Sequence, residues 1–334
     1  MIADELLAAW AMLPTPDGAG TLEAAEATEG LGAWLGLDHT ATRHVLIEVP
    51  DGTDAPVIKT KGMAMTVARH RVRGRESADY IDIVCLDDAA LDTFAVVAAD
   101  ICNDLEAAIP DRRVSTVAET LSRWRWFWNV GGDSLSERDA LGLFAELWFL
   151  DQWVGMSPHS VDAWTGADGA RHDFQWPDLS IEVKATSRRA EGAVVHTIQH
   201  LDQLADPETG TLHLFSLRVV RDRLAANTLP SLVDRCSEQL RGVASSRDAF
   251  LRKVSSRGYN PAHHRLRSTA YRILEEHLYE VVGEFPRLTA LSFPGDLPAG
   301  IGDVSYRLQM AACEPWLRAQ SAAEWRSRPA GGVR

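Results

Sequence analysis

Hydrophobic residues follow a strand-like pattern in the first third of this chain and a helical pattern directly after it. Arg43–Val49 is an apolar run bounded by polar residues, and residues 63–86 fit two strands around the polar turn Arg73–Ser77. A helix is predicted from about 91 to 108, where apolar residues recur with a helical period. Residues 1–110 are therefore expected to form a mixed α/β unit.

The pattern in the rest of the chain predicts helices, then strands, then helices again. Ser115–Glu119 can cap one helix, and Ser134–Glu137 resembles a capping box that opens a second, strongly apolar helix. From 161 to 220 the period returns to two, which predicts a strand-rich segment. Thr228–Pro230 is a suitable helix start, so residues 226–282 are expected to be helical, followed by short strands and loops.

The length of 334 residues is enough for two or three domains. We expect three: an acidic N-terminal α/β domain (1–114), a helix-and-strand core (115–225) and a basic helical region ending in short strands (226–334). Hydrophobic residues make up 46% and charged residues 24% of the chain, which excludes disorder and coiled coil as descriptions of the whole.

Cysteine usage and the N-terminus favour a soluble cytoplasmic protein. The four cysteines are far apart and form no C-x-x-C pair, which excludes a disulfide framework and a structural zinc site of the usual spacing. Asp4 and Glu5 stand where a signal peptide needs basic residues. The most apolar stretch, Ala140–Met156, is interrupted by two acids and falls short of a membrane span, so no membrane partner is expected.

Candidate chemistry is concentrated between Arg171 and Thr186. Pro177 and Asp178 predict a turn, and its flanks are then expected to pair as a hairpin in which partner residue numbers sum to 355. This register separates an apolar face from a polar one, which supports it. The apolar face carries Phe174, Trp176, Leu179, Ile181 and Val183, and the polar face carries Asp173, Gln175, Ser180, Glu182 and Lys184.

In that register Asp173 lies directly opposite Glu182, with Cβ atoms about 4.5–5.5 Å apart. Two carboxylates at this distance repel each other, and a hard divalent cation such as Mg²⁺, or Mn²⁺ in its place, relieves the repulsion. Lys184 lies on the same face, where it could hold a water or stabilise charge that develops on a phosphorus centre. The three residues predict a metal site for attack on a phosphodiester; the alternative is an ordinary solvated strand face.

Glu146 is a second candidate. It is the one charged residue between Leu141 and Leu150, in a helix that is otherwise apolar all round and therefore buried. A buried acid needs a partner. Two alternatives remain open for Glu146: a structural ion pair or hydrogen bond with an arginine, or a role in the predicted metal site.

Several of these residues together resemble a known family. The similarity lies in Trp124-Arg125, Phe127, Gly142–Leu147, Arg171–Phe174, Ile181–Thr186, His196–Ile198 and Asp202–Leu204. They resemble the prokaryotic PD-(D/E)XK motif proteins of defence and restriction neighbourhoods, within the restriction-endonuclease-like superfamily. The resemblance implies an α-β-β-β-α-β core in residues 115–225 of an α/β (α+β) multi-domain protein.

The same resemblance implies roles for individual residues. Asp173 and Glu182 would hold Mg²⁺ with the Val183 carbonyl, Lys184 would orient the attacking water, and Glu146 would be the helix acid near the metal. His196 and Gln203 would support the site, although packing roles are equally expected. The motif's proline is missing, because His172 precedes Asp173. The literal Pro177-Asp178 pair lies in the predicted turn, so it is interpreted as a turn and Asp173 as the metal ligand.

The function expected from these residues is a Mg²⁺-dependent DNA endonuclease of a restriction or anti-phage system. A partner ATPase, helicase or methyltransferase is expected, and a homodimer is compatible with it. Two alternatives remain open: a catalytically inactive DNA-binding or assembly subunit with the same fold, and an RNA-directed nuclease.

The net charge of −13 by itself argues against a nucleic-acid partner. The charge is unevenly distributed along the chain, however, and this changes the conclusion. Residues 1–110 hold seven Lys and Arg against nineteen Asp and Glu, whereas residues 217–272 hold twelve against four. This basic region predicts phosphate contacts, unless it is a solvated face or pairs with the acidic unit. The candidate DNA-binding residues are Arg241, Arg247, Arg252, Lys253, Arg257, Arg265 and Arg267. The aromatic residues of 124–128 could stack on bases, but burial is the stronger expectation.

Overall fold

The computed structural model describes residues 3–60, 62–124, 135–187, 192–260, 269–295, 301 and 304–327. The chain divides into two compact units: Met1–Gly132 with Asn260–Ala262, and Asp133–Tyr259 with His263–Arg334. Three domains were expected, with a boundary after 225. The structure has no separation there, because strands from either side of 225 pair in one sheet.

The first unit contains a six-stranded antiparallel sheet in the order β1-β2-β3-β6-β5-β4. The strands are β1 (Glu23–Glu26), β2 (Ala33–Leu37), β3 (Arg43–Val49), β4 (Ile58–Lys59), β5 (Met63–His70) and β6 (Ala78–Cys85). Helices α1 (Ala3–Met12), α2 (Leu91–Ala107) and α3 (Arg113–Trp124) belong to the same unit. The predicted strand β3, the two strands around the 73–77 turn and the helix α2 are confirmed.

Apolar pairing explains the core of this unit. Val45 pairs with Ile83 and Ile47 with Ile81 across β3 and β6, and all four side chains are buried. Since paired residues project to the same face, this face of the sheet is continuous and apolar. Helices α1 and α2 pack together, with the Trp10 and Phe94 rings 5.6 Å apart.

Trp124 is buried and its indole N–H donates to Asp100 Oδ2 over 3.0 Å. This first residue of the 124–128 aromatic run therefore packs α3 against α2, as the burial interpretation predicted. The rest of the run lies outside the described residues.

A buried polar cluster lies within this sheet. Asp82 of β6 has one carboxylate oxygen 2.8 Å from His44 Nδ1 and the other 2.8 Å from His70 Nε2. Burial alone would raise the pKa of Asp82, but the hydrogen bonds with the two histidines outweigh it and hold the pKa below its usual 3.8. The ionised carboxylate is thus the form that the fold stabilises.

We expect Asp82→Asn to destabilise the first unit by about 2 kcal/mol, because one histidine loses its charged acceptor inside the protein. A group with a depressed folded pKa stabilises at pH above its unfolded value, and this stabilisation is lost as the pH falls through the folded value. The loss in wild type should therefore occur below pH 3.8. Hydrogen exchange of the β3 and β6 amides measures the destabilisation by Asp82→Asn, with the exposed Asp54→Asn as control. Equal protection in both variants at neutral pH would contradict the prediction.

The second unit is built on a mixed sheet in the order β11-β12-β10-β8-β7, with β14 paired to β12 and a separate β9–β13 ribbon. Its strands are β7 (Phe174–Trp176), β8 (Leu179–Thr186), β9 (Val195–Ile198), β10 (Thr211–Arg221), β11 (Asn227–Thr228), β12 (Ala270–Glu280), β13 (Tyr306–Gln309) and β14 (Leu317–Ala319). Its α-helices are α4 (Glu137–Trp148), α5 (Pro158–Ala163), α6 (Leu229–Gln239), α7 (Ala244–Ser256) and α8 (Ala322–Arg326), and a π-helical segment, Phe149–Val154, continues α4. Strand β8 is parallel to β10, whereas β7–β8 and β10–β12 are antiparallel.

Two helix predictions in this unit compare as follows with the structure. Helix α4 is capped by Ser136, whose hydroxyl accepts from the Asp139 N–H, and Ser134, where the predicted capping box begins, lies outside the described residues. Residues 226–282 are helical only in part: Thr228 does cap α6, but Ala270–Glu280 is a strand. Its sequence contains Leu, Glu and Ala, which favour helix, and its pairing along the whole of β10 overrides that preference.

The aromatic core of the second unit lies between the sheet and the end of α4. The ring of Phe149 lies 5.2 Å from Phe174 and 4.9 Å from Phe215, and Trp153 lies 5.0 Å from Phe215. These contacts fix the C-terminal end of α4 against β7 and β10, and thereby position Glu146 of that helix. None of the described helices is long and apolar enough to cross a membrane.

Candidate functional site

The β7–β8 hairpin has the predicted register. Phe174 pairs with Ile181 and Trp176 with Leu179, so partner numbers sum to 355 as expected. Phe174, Leu179 and Ile181 are buried on the apolar face. The prediction held because a shift of one residue would have placed every apolar side chain on the opposite face.

Asp173 stands directly before β7, and its carboxylate is turned toward β8. The Val183 N–H donates to Asp173 Oδ2 over 2.8 Å, and the Gly166 N–H donates to the Asp173 carbonyl over 2.9 Å. A Cβ at Gly166 would approach Asp173 Oδ1 to 2.7 Å, so the close approach of this loop requires glycine. The Asp173 carboxylate is thus held at the edge of β8, beside Glu182.

Glu182 and Lys184 form an ion pair on the same face of β8. Lys184 Nζ lies 2.5 Å from Glu182 Oε1, and the side chains are only 14% and 2% exposed. The polar face of the hairpin is therefore not the solvated face that the structural alternative required. It is buried around these two residues.

The burial of this face has a clear cause in the sheet. Glu182 pairs with Leu214 and Lys184 with Ser216 on the parallel strand β10, so Leu214 and Ser216 share their face. Leu214 belongs to an apolar cluster that continues into the β9–β13 ribbon. Its buried members are Ile198, Leu204, Leu212, Leu214, Tyr279, Val281, Phe285, Leu308, Met310 and Cys313.

Glu146 of α4 is buried and both its oxygens are engaged. The Trp164 indole N–H donates to Oε2 over 2.8 Å, and Arg257 Nη2 lies 2.6 Å from Oε1. The sequence predicted that this acid needs a partner, and the arginine is Arg257. The partners are 18 and 111 residues distant along the chain, and sequence reasoning did not identify either one.

The pKa directions of Glu146, Asp173, Glu182 and Lys184 are those of charged groups close enough to interact, and we refer to this buried cluster with Arg257 as the pocket. Burial, and then the nearby Asp173, raises the pKa of Glu146 to about 8. Burial, opposed by Lys184, raises the pKa of Glu182 to about 8, and burial also raises that of Asp173. Burial alone would lower the pKa of Lys184, but the carboxylates of Glu182, Asp173 and Glu146 raise it, so this amine stays protonated.

The two supporting residues implied by the resemblance have packing contacts. His196 Nε2 lies 2.7 Å from Ser216 Oγ, and burial, with the nearby Lys184, lowers the His196 pKa to about 3. His196 is therefore neutral beside the site. Gln203 Oε1 accepts from the Gln199 N–H over 2.8 Å, which orders its own loop.

The basic stretch is largely neutralised within its own unit. Seven of its cations pair with carboxylates: Arg218–Glu275, Arg221–Glu137, Arg235–Asp151, Arg241–Glu238, Lys253–Asp168, Arg257–Glu146 and Arg272–Asp222. Five of these acids lie outside residues 217–272, which is why the regional count overstated the free charge.

The candidate DNA-binding residues have different surroundings. Arg257 pairs with Glu146. Lys253 is only 14% exposed, and its amine donates to the Trp164 carbonyl over 2.6 Å and to the Val161 carbonyl over 3.0 Å. Arg241 and Arg252 are exposed and Arg247 is half-buried, donating to Ser237 Oγ over 3.0 Å. Arg265 and Arg267 lie outside the described residues.

Comparison with known families adds an independent observation. Residues 6–311 match the family described as "Putative PD-(D/E)XK family member, (DUF4420)". The chain belongs to this family. The PD-(D/E)XK resemblance inferred from the motifs is thereby confirmed, and membership indicates a nuclease-like fold. Comparisons with curated proteins and with solved structures gave no match.

Within this PD-(D/E)XK family member, His, Cys, Asp and Glu side chains of the described residues form no group of three or more at metal-binding spacing. The contacts above give the reason. Glu182 is held by Lys184, Glu146 by Arg257 and Trp164, and Asp173 by a backbone N–H. Each carboxylate is thus engaged by donors of the chain itself.

Proposed function

We propose that this protein is a Mg²⁺-dependent endonuclease that hydrolyses DNA phosphodiester bonds in a prokaryotic restriction or anti-phage system. One observation carries the proposal: Asp173 accepts from the Val183 N–H, next to the buried Glu182 and its ion-pair partner Lys184, and the buried Glu146 interacts electrostatically with Asp173, in a PD-(D/E)XK family member. Structural ion pairs rarely need three buried carboxylates whose charges repel each other.

The donor set fits a hard divalent cation. Asp173, Glu182 and Glu146 offer only oxygen ligands, the kind that Mg²⁺ prefers. Burial raises the pKa values of Glu146 and Glu182, repulsion from the nearby Asp173 raises them further, and a divalent cation would relieve that repulsion. Asp173 and Glu182 would hold the ion with the Val183 carbonyl, and Glu146 would complete its surroundings. When bound, Mg²⁺ supplies Lewis-acid polarisation of the phosphate and a more acidic bound water.

Lys184 acts as a donor in this proposal. Because the three carboxylates keep its amine protonated, it cannot take a proton from water, but it can orient the water and neutralise a non-bridging phosphate oxygen. In hydrolysis the water oxygen bonds to phosphorus as the bond from phosphorus to the leaving sugar oxygen breaks; the water loses one proton to solvent and the leaving oxygen takes one from solvent. Lys184 would stabilise the negative charge that develops on the non-bridging phosphate oxygens.

The order of elements supports the restriction-endonuclease-like core. Along the chain, α4 is followed by the short helix α5, then by β7, β8 and β10, then by the short strand β11 and helices α6 and α7, and finally by β12. Apart from α5, β11 and a second helix in place of one, and with β9 in a separate ribbon, this is similar to the helix-strand-strand-strand-helix-strand order that the resemblance implies. Helices α6 and α7 and strand β12 lie beyond residue 225, where the core was expected to end.

DNA is the proposed substrate, with Arg241, Arg247, Arg252, Arg265 and Arg267 as the basic residues for backbone contacts. The defence role, a partner ATPase, helicase or methyltransferase, and a homodimer rest on the family resemblance.

Cleavage of a supercoiled plasmid by the purified chain tests the proposal. We expect nicked and linear DNA with Mg²⁺ or Mn²⁺ and none with EDTA. DNA binding that is salt-sensitive and not accompanied by cleavage would favour the inactive subunit instead, and preferential cleavage of competing RNA would favour the RNA-directed nuclease. The proposal fails if wild type cuts no DNA, alone or with neighbouring gene products, while Lys184→Ala preserves protection in vivo.

A further inference from the structure

The Arg257 side chain is more exposed to solvent than the carboxylate with which it pairs. It follows directly after α7 and its guanidinium is 31% exposed, whereas its partner Glu146 is 4% exposed. Among the contacts of the described residues, the guanidinium makes only the ion pair with Glu146. An arginine carries five N–H donors in a planar fork, so most of them are directed elsewhere.

The backbone that carries Arg257 is firmly anchored. Lys253, one turn earlier on α7, donates to the Val161 and Trp164 carbonyls and lies 3.0 Å from Asp168 Oδ2. Trp164 in turn holds the second oxygen of Glu146. Helices α4, α5 and α7 are thereby tied together around one carboxylate. A change of partner at this point therefore requires movement of the long Arg257 side chain only, and not of its helix.

The balance of charges in the pocket indicates that Arg257 is available to bind a substrate phosphate. Three carboxylates face two cations, and the buried Lys184 is already paired with Glu182. A substrate phosphodiester brings one more negative charge, while an ion bound by the carboxylates would take over the neutralisation of Glu146. Arg257 would then be the exposed cation beside the reacting phosphate, and the guanidinium fork matches two phosphate oxygens.

We propose that Arg257 exchanges partners during the reaction. It pairs with Glu146 in the substrate-free protein and donates to a non-bridging oxygen of the scissile phosphodiester in the substrate complex. This assignment rests on the proposed nuclease function. It makes Arg257 a catalytic residue, in place of the general backbone contact that its position in a basic stretch predicted.

The test compares Arg257→Met, Arg257→Lys and the matched control Arg223→Met, which removes an exposed arginine of the same unit outside the pocket. Single-turnover cleavage with saturating Mg²⁺ should fall by about 10²–10³-fold in Arg257→Met, as when one transition-state donor is removed. Arg257→Lys should recover part of the rate, because it keeps the charge without the fork. Arg223→Met should cut like wild type.

Mn²⁺ binding to the DNA-free variants, measured by electron paramagnetic resonance, separates this role from a structural one. Arg257→Met should bind Mn²⁺ as well as wild type or better, since a competitor for Glu146 is gone. A parallel loss of Mn²⁺ binding and cleavage would show that Arg257 only supports Glu146, and would overturn the assignment. An unchanged cleavage rate in Arg257→Met would overturn it too. A wild-type protein that cuts nothing would instead remove the proposed function and this assignment together.

Discussion

Replacing Glu182 by Gln should lower Mg²⁺-dependent DNA cleavage by about 10³-fold or more while leaving the fold intact. Gln keeps the size of Glu and an oxygen that Lys184 can reach, so the buried contact that measures 2.5 Å in the wild type survives. What disappears is the negative charge that a divalent cation needs. Single-turnover cleavage of plasmid DNA measures the loss, and circular dichroism verifies the fold.

The matched control for this prediction is Asp178→Asn. Asp178 belongs to the literal Pro-Asp pair, but it is exposed in the turn between β7 and β8 and its carboxylate is remote from the pocket in the described register. Cleavage should be unchanged. If Asp178→Asn abolished cleavage and Glu182→Gln did not, the motif assignment based on the hairpin register would be wrong.

Replacing Gly210 by Ala should destabilise the second unit by more than about 3 kcal/mol. Gly210 adopts φ +77°, and a Cβ there would stand 2.2 Å from the backbone carbon of Asp178. Backbone atoms cannot move away as a flexible side chain can. The contact also lies where the Thr211 N–H donates to the Asp178 carbonyl over 3.1 Å, so β10 and the β7–β8 turn would have to separate.

Gly155→Ala separates the cost of the backbone conformation from the cost of the collision between the added Cβ and Asp178. Gly155 also has a positive φ, +88°, but no atom lies within 4 Å of its added Cβ. This variant should lose only about 1–2 kcal/mol, the cost of the left-handed conformation. Urea unfolding followed by near-ultraviolet circular dichroism measures both. Equal losses would show that conformational strain alone, and not the collision with Asp178, determines the stability at Gly210.

Local patterns predicted the parts of the site that are close in sequence. The β7–β8 register followed from one turn and the alternation of five apolar residues, and it placed Glu182 and Lys184 on one face beside Asp173. Burial of Glu146 followed from its apolar helix. Both inferences needed only the periods of strands and helices, which are properties of the local chain.

Long-range pairing explains the failures. The strand β12 was predicted as helix, and its residues favour helix. Pairing with β10, at a distance of more than fifty residues for most pairs, and with β11 and β14 makes it a strand. The basic stretch was counted without the acids that neutralise it from Glu137, Asp151 and Glu275. A charge count over one segment of the sequence does not include the acids of other segments that folding brings next to it.

The sequence by itself determined the nuclease-like family of this protein, the face of the β7–β8 hairpin to which Asp173, Glu182 and Lys184 belong, and the need of Glu146 for a partner. Only the tertiary structure decided that this face is buried and that Arg257 and Trp164 hold Glu146. Alternation and helical period are set by backbone geometry over a few residues, so they can be read from the chain. Burial of a polar face and the choice of a counter-charge depend on which distant elements pack there, and the lowest free energy of the whole unit determines that choice.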